Sequence, residues 1–196
     1  MINLNSLNEI LETVGTCEKC GLYKFRDKVV FAEGEKNAKV MLIGLSPGER
    51  ENSTGKLFIG PAGDFLNELL QSAKLNRGAF YITNIIKCHA STYAIGQKEV
   101  DACVIYLDKQ IEIIKPEVII PLDSIAAQYI LKKYDLPNKR ISEIHGQLLR
   151  VSIGDLFDTG RNIKIIPMFH PAAALRTPGL LELVKKDWQN LNFKEK

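Results

Sequence analysis

Val40-Met41-Leu42-Ile43-Gly44-Leu45-Ser46-Pro47-Gly48 runs from four consecutive apolar residues straight into a loop rich in Gly and Pro. A short unbroken apolar run has no polar side to show to water, so as a strand it must be covered on both faces. Moving outward, Phe80-Tyr81-Ile82-Thr83 and Val118-Ile119-Ile120 repeat the pattern, and residues 148–151 and 163–167 are further strand candidates. The stretches between them carry helical spacing. Leu4, Leu7, Ile10, Leu11 and Val14 mark a helix over residues 4–14, and Phe65, Leu66, Leu69 and Leu70 mark one over 62–73. Val100, Cys103, Val104, Leu107, Ile111 and Ile114 mark a long helix over 98–114, stopped at Pro116. Two more are expected over 124–133 and 180–191. Strands alternating with helices give an α/β fold with a largely parallel sheet and helices on both faces.

Composition sets the outer limits. The chain has 196 residues, 45% of them hydrophobic and 25% charged, with a formal net charge of +3. That length suits one domain, residues 1–196, with one sizeable core. Hydrophobicity is too high and net charge too small for intrinsic disorder. No apolar run reaches the ~18 residues of a membrane span. Met1-Ile2-Asn3-Leu4-Asn5 lacks the basic-then-apolar order of a signal peptide. A cytoplasmic protein is the expectation. The weak positive charge permits a nucleic-acid partner without arguing for one.

The cysteines carry more information. Cys17 and Cys20 form a Cys-x2-Cys pair, and Cys88 and Cys103 follow far along the chain. In a cytosolic protein disulfides are disfavoured. Four thiolates on one centre suit zinc or an iron–sulfur cluster. The wide second spacing is wrong for a zinc ribbon, whereas a four-iron cluster takes each sulfur from its own direction. The competing readings are small buried apolar residues and a redox Cys-x-x-Cys, although no thioredoxin-like strand–helix context precedes the pair.

In an open α/β sheet, ligands bind beyond the carboxyl ends of the strands. That singles out the loops after Ile43, Thr83 and Pro167. The first brings glycines, which let backbone approach a ligand, and leads to Phe58, an aromatic ring among glycines that suits stacking on a planar group. The second brings Asn84, whose carboxamide donates and accepts and so can read a base edge. The third brings His170 directly before a Pro-started helix. Each fragment alone reads equally as a turn, a cap or a structural histidine. Neither a P-loop nor a Rossmann fingerprint is present.

Taken in order, the motifs resemble those of family 4 uracil-DNA glycosylases, the iron–sulfur members of the uracil-DNA glycosylase superfamily. They are Cys17-x-x-Cys20-x-Leu22, Gly44-x-x-Pro47-Gly48, Gly55-Lys56-x-Phe58-x-Gly60-x-Ala62-Gly63, Tyr81-Ile82-Thr83-Asn84-x-x-Lys87-Cys88, Cys103 with Leu107-x-x-Gln110-Ile111, and His170-Pro171-Ala172. The resemblance implies a three-layer α/β/α domain, a [4Fe-4S] cluster on Cys17, Cys20, Cys88 and Cys103, and removal of uracil from DNA. A base must leave the duplex stack before its glycosidic bond can be attacked. On this reading Phe58 stacks on the flipped ring, Asn84 reads its edge, and His170 stabilises charge developing on a uracil carbonyl. Backbone at Gly44 and Leu45 completes the pocket, Arg176 serves a phosphate or wedge role, and Lys56 and Lys87, beside the pocket, contact DNA phosphates. A monomer touching DNA through a narrow basic rim is expected.

The chain also departs from the family pattern. Leu45 stands where an acidic residue is usual, and Gly44-Leu45 and Gly63-Asp64-Phe65-Leu66 resemble family 5 enzymes instead. A carboxylate from the same loop, Glu49 or Glu51, can substitute to orient water; catalysis resting on leaving-group stabilisation without an activated water is the slower alternative. His89-Ala90-Ser91-Thr92-Tyr93 replaces a Pro-Pro-x-Asn-Arg segment, and Pro121-Leu122-Asp123 stands where Leu-Gly is usual. Two alternatives follow: a glycosylase shifted to another deaminated base such as hypoxanthine or xanthine, and a catalytically weak DNA-binding relative.

Overall fold

The computed structural model describes residues 4–90, 95–153 and 161–191. Met1-Ile2-Asn3 and Ser91-Thr92-Tyr93, on which two of the readings above fall, lie outside the described residues. Six strands, β1 (Ala32–Glu33), β2 (Val40–Gly44), β3 (Phe80–Asn84), β4 (Val118–Pro121), β5 (Leu149–Ile153) and β6 (Arg161–Ile165), form one sheet in the order β1-β3-β2-β4-β6-β5. The four inner strands are mutually parallel, and β1 and β5 close the edges antiparallel.

The apolar runs are central strands covered on both faces. Along β2, Met41 and Ile43 enter one apolar cluster while Leu42 enters the other. Tyr81 and Ile119 follow the first face, and Ile82 and Ile120 the second, as strand alternation requires. The first cluster takes in α1 (Leu7–Gly15), α4 (Gln97–Ile114) and α5 (Ser124–Lys133). The second takes in α3 (Pro61–Ser72), α7 (Pro171–Arg176) and α8 (Pro178–Gln189). The architecture is therefore α/β/α, as expected from the sequence.

Two short helices were not marked by periodicity. The first is α2 (Glu49–Thr54), inside the expected loop, and the second is α6 (Ile141–Ile144). The first is too short to show a hydrophobic face. It is held instead by Asn52, whose buried carboxamide accepts from Asp27 N at 2.9 Å and donates to Asp27 Oδ2 at 2.8 Å. Among the described residues no helix is long and apolar enough to cross a membrane.

Candidate active site and cysteine cavity

The carboxyl ends of β2 and β3 put Gly44 beside Asn84 as register partners. Gly44 has no side chain where one would intrude: a Cβ there would run into Asn84 Oδ1 and lie 3.4 Å from Phe58 Cζ. Beyond this floor opens a cavity of about 550 Å³. Its walls include Ser46 to Glu51, Phe58, Gly60 to Ala62, Asn84, His170, Ala172 and Arg176. All three strand-end loops singled out in the sequence thus meet at one site. Asn84 is only 3% exposed, yet its carboxamide has no hydrogen-bond partner among the described residues. It lines the cavity, so its free donor and acceptor are available to a ligand there.

His170 caps α7, and its Nδ1 accepts from Ala172 N at 3.1 Å. With Nδ1 accepting, the proton sits on Nε2, which makes that nitrogen a donor. Burial, aided by the Arg176 guanidinium and opposed by Glu51, holds the His170 pKa down at about 4. The imidazole is neutral near pH 7. Its ring lies nearly parallel to Phe58, with centroids 5.7 Å apart and planes 24° from parallel.

Phe58 occupies the left-handed region with φ of +48°. Glu51 secures the far side of its turn, Oε1 accepting from Ile59 N at 3.0 Å and Gly60 N at 3.2 Å. Glu49 also lines the cavity but is exposed, with no ion pair or hydrogen bond from its side chain among the described residues. Leu45 does not line it. Its side chain packs on the apolar cluster behind the sheet, and its carbonyl accepts from Ile86 N at 2.8 Å.

The structure corrects the expectation for Lys87. It is fully buried, and Nζ donates to Thr83 Oγ1 at 2.7 Å, Gln110 Oε1 at 2.7 Å and the Asn84 carbonyl at 2.5 Å. Burial lowers its pKa to about 7. Lys87 braces the backbone of Asn84 from inside and is out of reach of a phosphate. A basic residue in a motif carries no sequence mark that tells inside from outside. Lys56 is exposed but lines a neighbouring cavity, with Asp64 and Arg77, rather than the site beside which it was expected. Arg176 does line the site, and so does Arg50, which the sequence reading passed over.

The four cysteines come together despite their spacing. Cys17, Cys20, Cys88 and Cys103 line one small cavity with Tyr106 and Lys87. Burial raises the Cys88 thiol above its ordinary pKa and pushes Cys103 to about 11. The Tyr106 hydroxyl in the same cavity, beside Cys17, is buried with no hydrogen-bond partner within range among the described residues. Arg26 donates to Cys88 Sγ at 3.6 Å and to the Cys17 and Gly15 carbonyls at 2.8 Å each, fixing the loop around the thiols. Among the described residues no group of three His, Cys, Asp or Glu could hold a metal ion. The four cysteines line one cavity, and an all-thiolate donor set suits zinc or an iron–sulfur cluster.

A family model for the uracil-DNA glycosylase superfamily matches residues 31–192. The type-4 uracil-DNA glycosylase of Archaeoglobus fulgidus is 35% identical over 189 residues, covering 96% of this chain and 92% of that protein. The chain belongs to the uracil-DNA glycosylase superfamily, in its type-4 group. Type-4 uracil-DNA glycosylases of Saccharolobus solfataricus (35% identical over 96% of this chain and 86% of that protein) and Pyrobaculum aerophilum (34% over 92% and 90%) agree.

Proposed function

We propose that this protein is a DNA-repair glycosylase that flips uracil out of DNA and hydrolyses its N-glycosidic bond, leaving an abasic site. The observation that carries this reading is the unpaired, nearly buried Asn84 carboxamide, set beside Phe58 and a neutral His170 in a type-4 chain. Phe58 stacks on the flipped base and Asn84 pairs with its edge. As the C1′–N1 bond breaks, the sugar becomes cation-like and uracil leaves as an anion. The His170 Nε2–H donates to the uracil carbonyl that takes up the charge. Glu51, tied to backbone, supplies a fixed negative charge on the wall, and Glu49 orients the water that adds to C1′. Backbone at Gly44, packed against Asn84, forms the floor. Arg176 contacts phosphate, and Lys56 contacts it farther along the strand.

Cys17, Cys20, Cys88 and Cys103 would hold a [4Fe-4S] cluster, and the buried thiols and the orphaned Tyr106 hydroxyl around one cavity support that assignment. Bound there, the cluster supplies a cross-link between the N-terminal segment and the body of the fold. The protein works as one cytoplasmic, monomeric domain over residues 1–196 on DNA. Incubation with oligonucleotides carrying uracil, hypoxanthine or xanthine, followed by alkali, tests the base assignment. Strand breakage confined to the uracil substrate is expected. Breakage only at hypoxanthine or xanthine would transfer the activity to the alternative base.

A further inference from the structure

We propose that Arg77 is a positioning residue for Phe58, acting from outside the pocket on the turn that carries the ring. The proposal rests on the reading of Phe58 as the base-stacking residue. Phe58 holds a backbone conformation that residues with a side chain seldom adopt, and such strain persists only where the surroundings over-determine it. Arg77 donates through Nη2 to the Leu57 carbonyl at 2.9 Å and through Nη1 to the Phe58 carbonyl at 3.3 Å. These are the two carbonyls on either side of the strained residue's own N–H. On the other side of the turn, Glu51 takes the next two N–H groups, of Ile59 and Gly60. The turn is therefore gripped at four consecutive residues by one cation and one anion. Gly63 completes the seat, since a Cβ there would collide with the Phe58 carbonyl.

The guanidinium is itself locked. Nε and Nη2 pair with the two carboxylate oxygens of Glu33 at 3.0 Å each, and Nη1 donates to Asn67 Oδ1 at 2.9 Å. Glu33 belongs to edge strand β1 and Asn67 to α3. The fork is thus fixed by two regular elements before it meets the turn, an arrangement a lysine, with one point charge, does not reproduce. Arg77 does not line the cavity that holds Asn84 and His170. Any effect it has on the base must pass through Phe58.

A double-mutant cycle on the full-length protein tests this. Arg77→Ala, Phe58→Ala and the double variant are compared for inhibition by free uracil, for single-turnover excision from a uracil-containing oligonucleotide, and for Tm. Arg77→Ala is expected to weaken uracil inhibition about tenfold. The double variant is expected to be no worse than Phe58→Ala alone. Arg77→Lys should fall between wild type and Arg77→Ala, with faster amide exchange at Ile59 and Gly60. Equal uracil inhibition in wild type and Arg77→Ala, or additive losses in the double variant, would overturn the proposal. If Arg77→Ala does not fold, Arg77→Lys decides by the same readouts: unchanged exchange at Ile59 and Gly60 overturns it. Failure of wild type to excise uracil or bind it would instead contradict the glycosylase reading, and the exchange measurement still judges the role of Arg77 on the turn.

Discussion

Gly44 and Asn84 face each other as register partners at the carboxyl ends of adjacent parallel strands, with no room for a Cβ between them. The backbone of one strand is thereby the rest on which the Asn84 carboxamide, proposed to read the base, is seated. Gly44→Ala is expected to displace Asn84 and to press toward Phe58. The expected outcome is a loss of about 10²-fold in kcat/KM on uracil-containing DNA, with secondary structure retained by circular dichroism. Activity within twofold of wild type would show that Asn84 is not held this way.

His170 gives a pH signature. Its folded pKa of about 4 lies below the ordinary ~6.5 of an unfolded histidine. Between those values the unfolded chain takes up a proton that the native site refuses. The stability associated with the neutral imidazole is thus intact above ~6.5 and is lost progressively as pH falls toward 4. Asp123, whose carboxyl burial raises to about 6, contributes with the opposite sign over part of this range. His170→Gln keeps Asp123, so subtracting its Tm profile isolates the histidine. Wild type should lose more Tm than His170→Gln between pH 6.5 and 4; parallel profiles would contradict a native imidazole held neutral.

Lys87 and Arg176 separate inside from outside. Lys87→Met leaves the Thr83, Asn84 and Gln110 acceptors without their shared donor, and should cost about 2–4 kcal/mol in denaturant unfolding. The slope of log binding constant against log salt should not change. Arg176→Ala should do the reverse, leaving stability within about 0.5 kcal/mol and lowering that slope by about 0.9. A salt-slope change in Lys87→Met would put that side chain on the DNA after all.

The cysteine cavity predicts a coloured protein. Anaerobically purified protein should contain about four iron and four sulfide per chain and absorb broadly in the visible. Cys88→Ala should bleach it and lower Tm, because the N-terminal segment loses its anchor to the body. A colourless, zinc-loaded protein of full stability would contradict the cluster assignment.

Much of this was legible in the sequence because the physics is local. Continuous apolar runs at 40–43, 80–82 and 118–120 suit doubly covered strands, and ligands in such sheets bind beyond the carboxyl ends. Asn84, Phe58 and His170 were therefore visible from strand order and residue type. What the sequence hid is long-range or depends on burial. Lys87 looks like any motif lysine until Gln110 and Thr83 are seen to enclose it. Arg77, between Asn76 and Gly78, reads as a surface turn residue. Its partners Glu33, Leu57, Phe58 and Asn67 are scattered over two elements and a loop. Glu51 was named among two carboxylates, but only the fold shows that its oxygen holds the backbone after Phe58.

The most direct measurement is single-turnover excision from an end-labelled oligonucleotide with one uracil, scored by alkali cleavage, for wild type and His170→Ala. Complete conversion by wild type is expected, with a rate lower by about 10²–10³-fold in His170→Ala and binding to the same oligonucleotide retained. An intact uracil strand after prolonged incubation with cluster-loaded wild type, or equal rates in the two proteins, would contradict this mechanism.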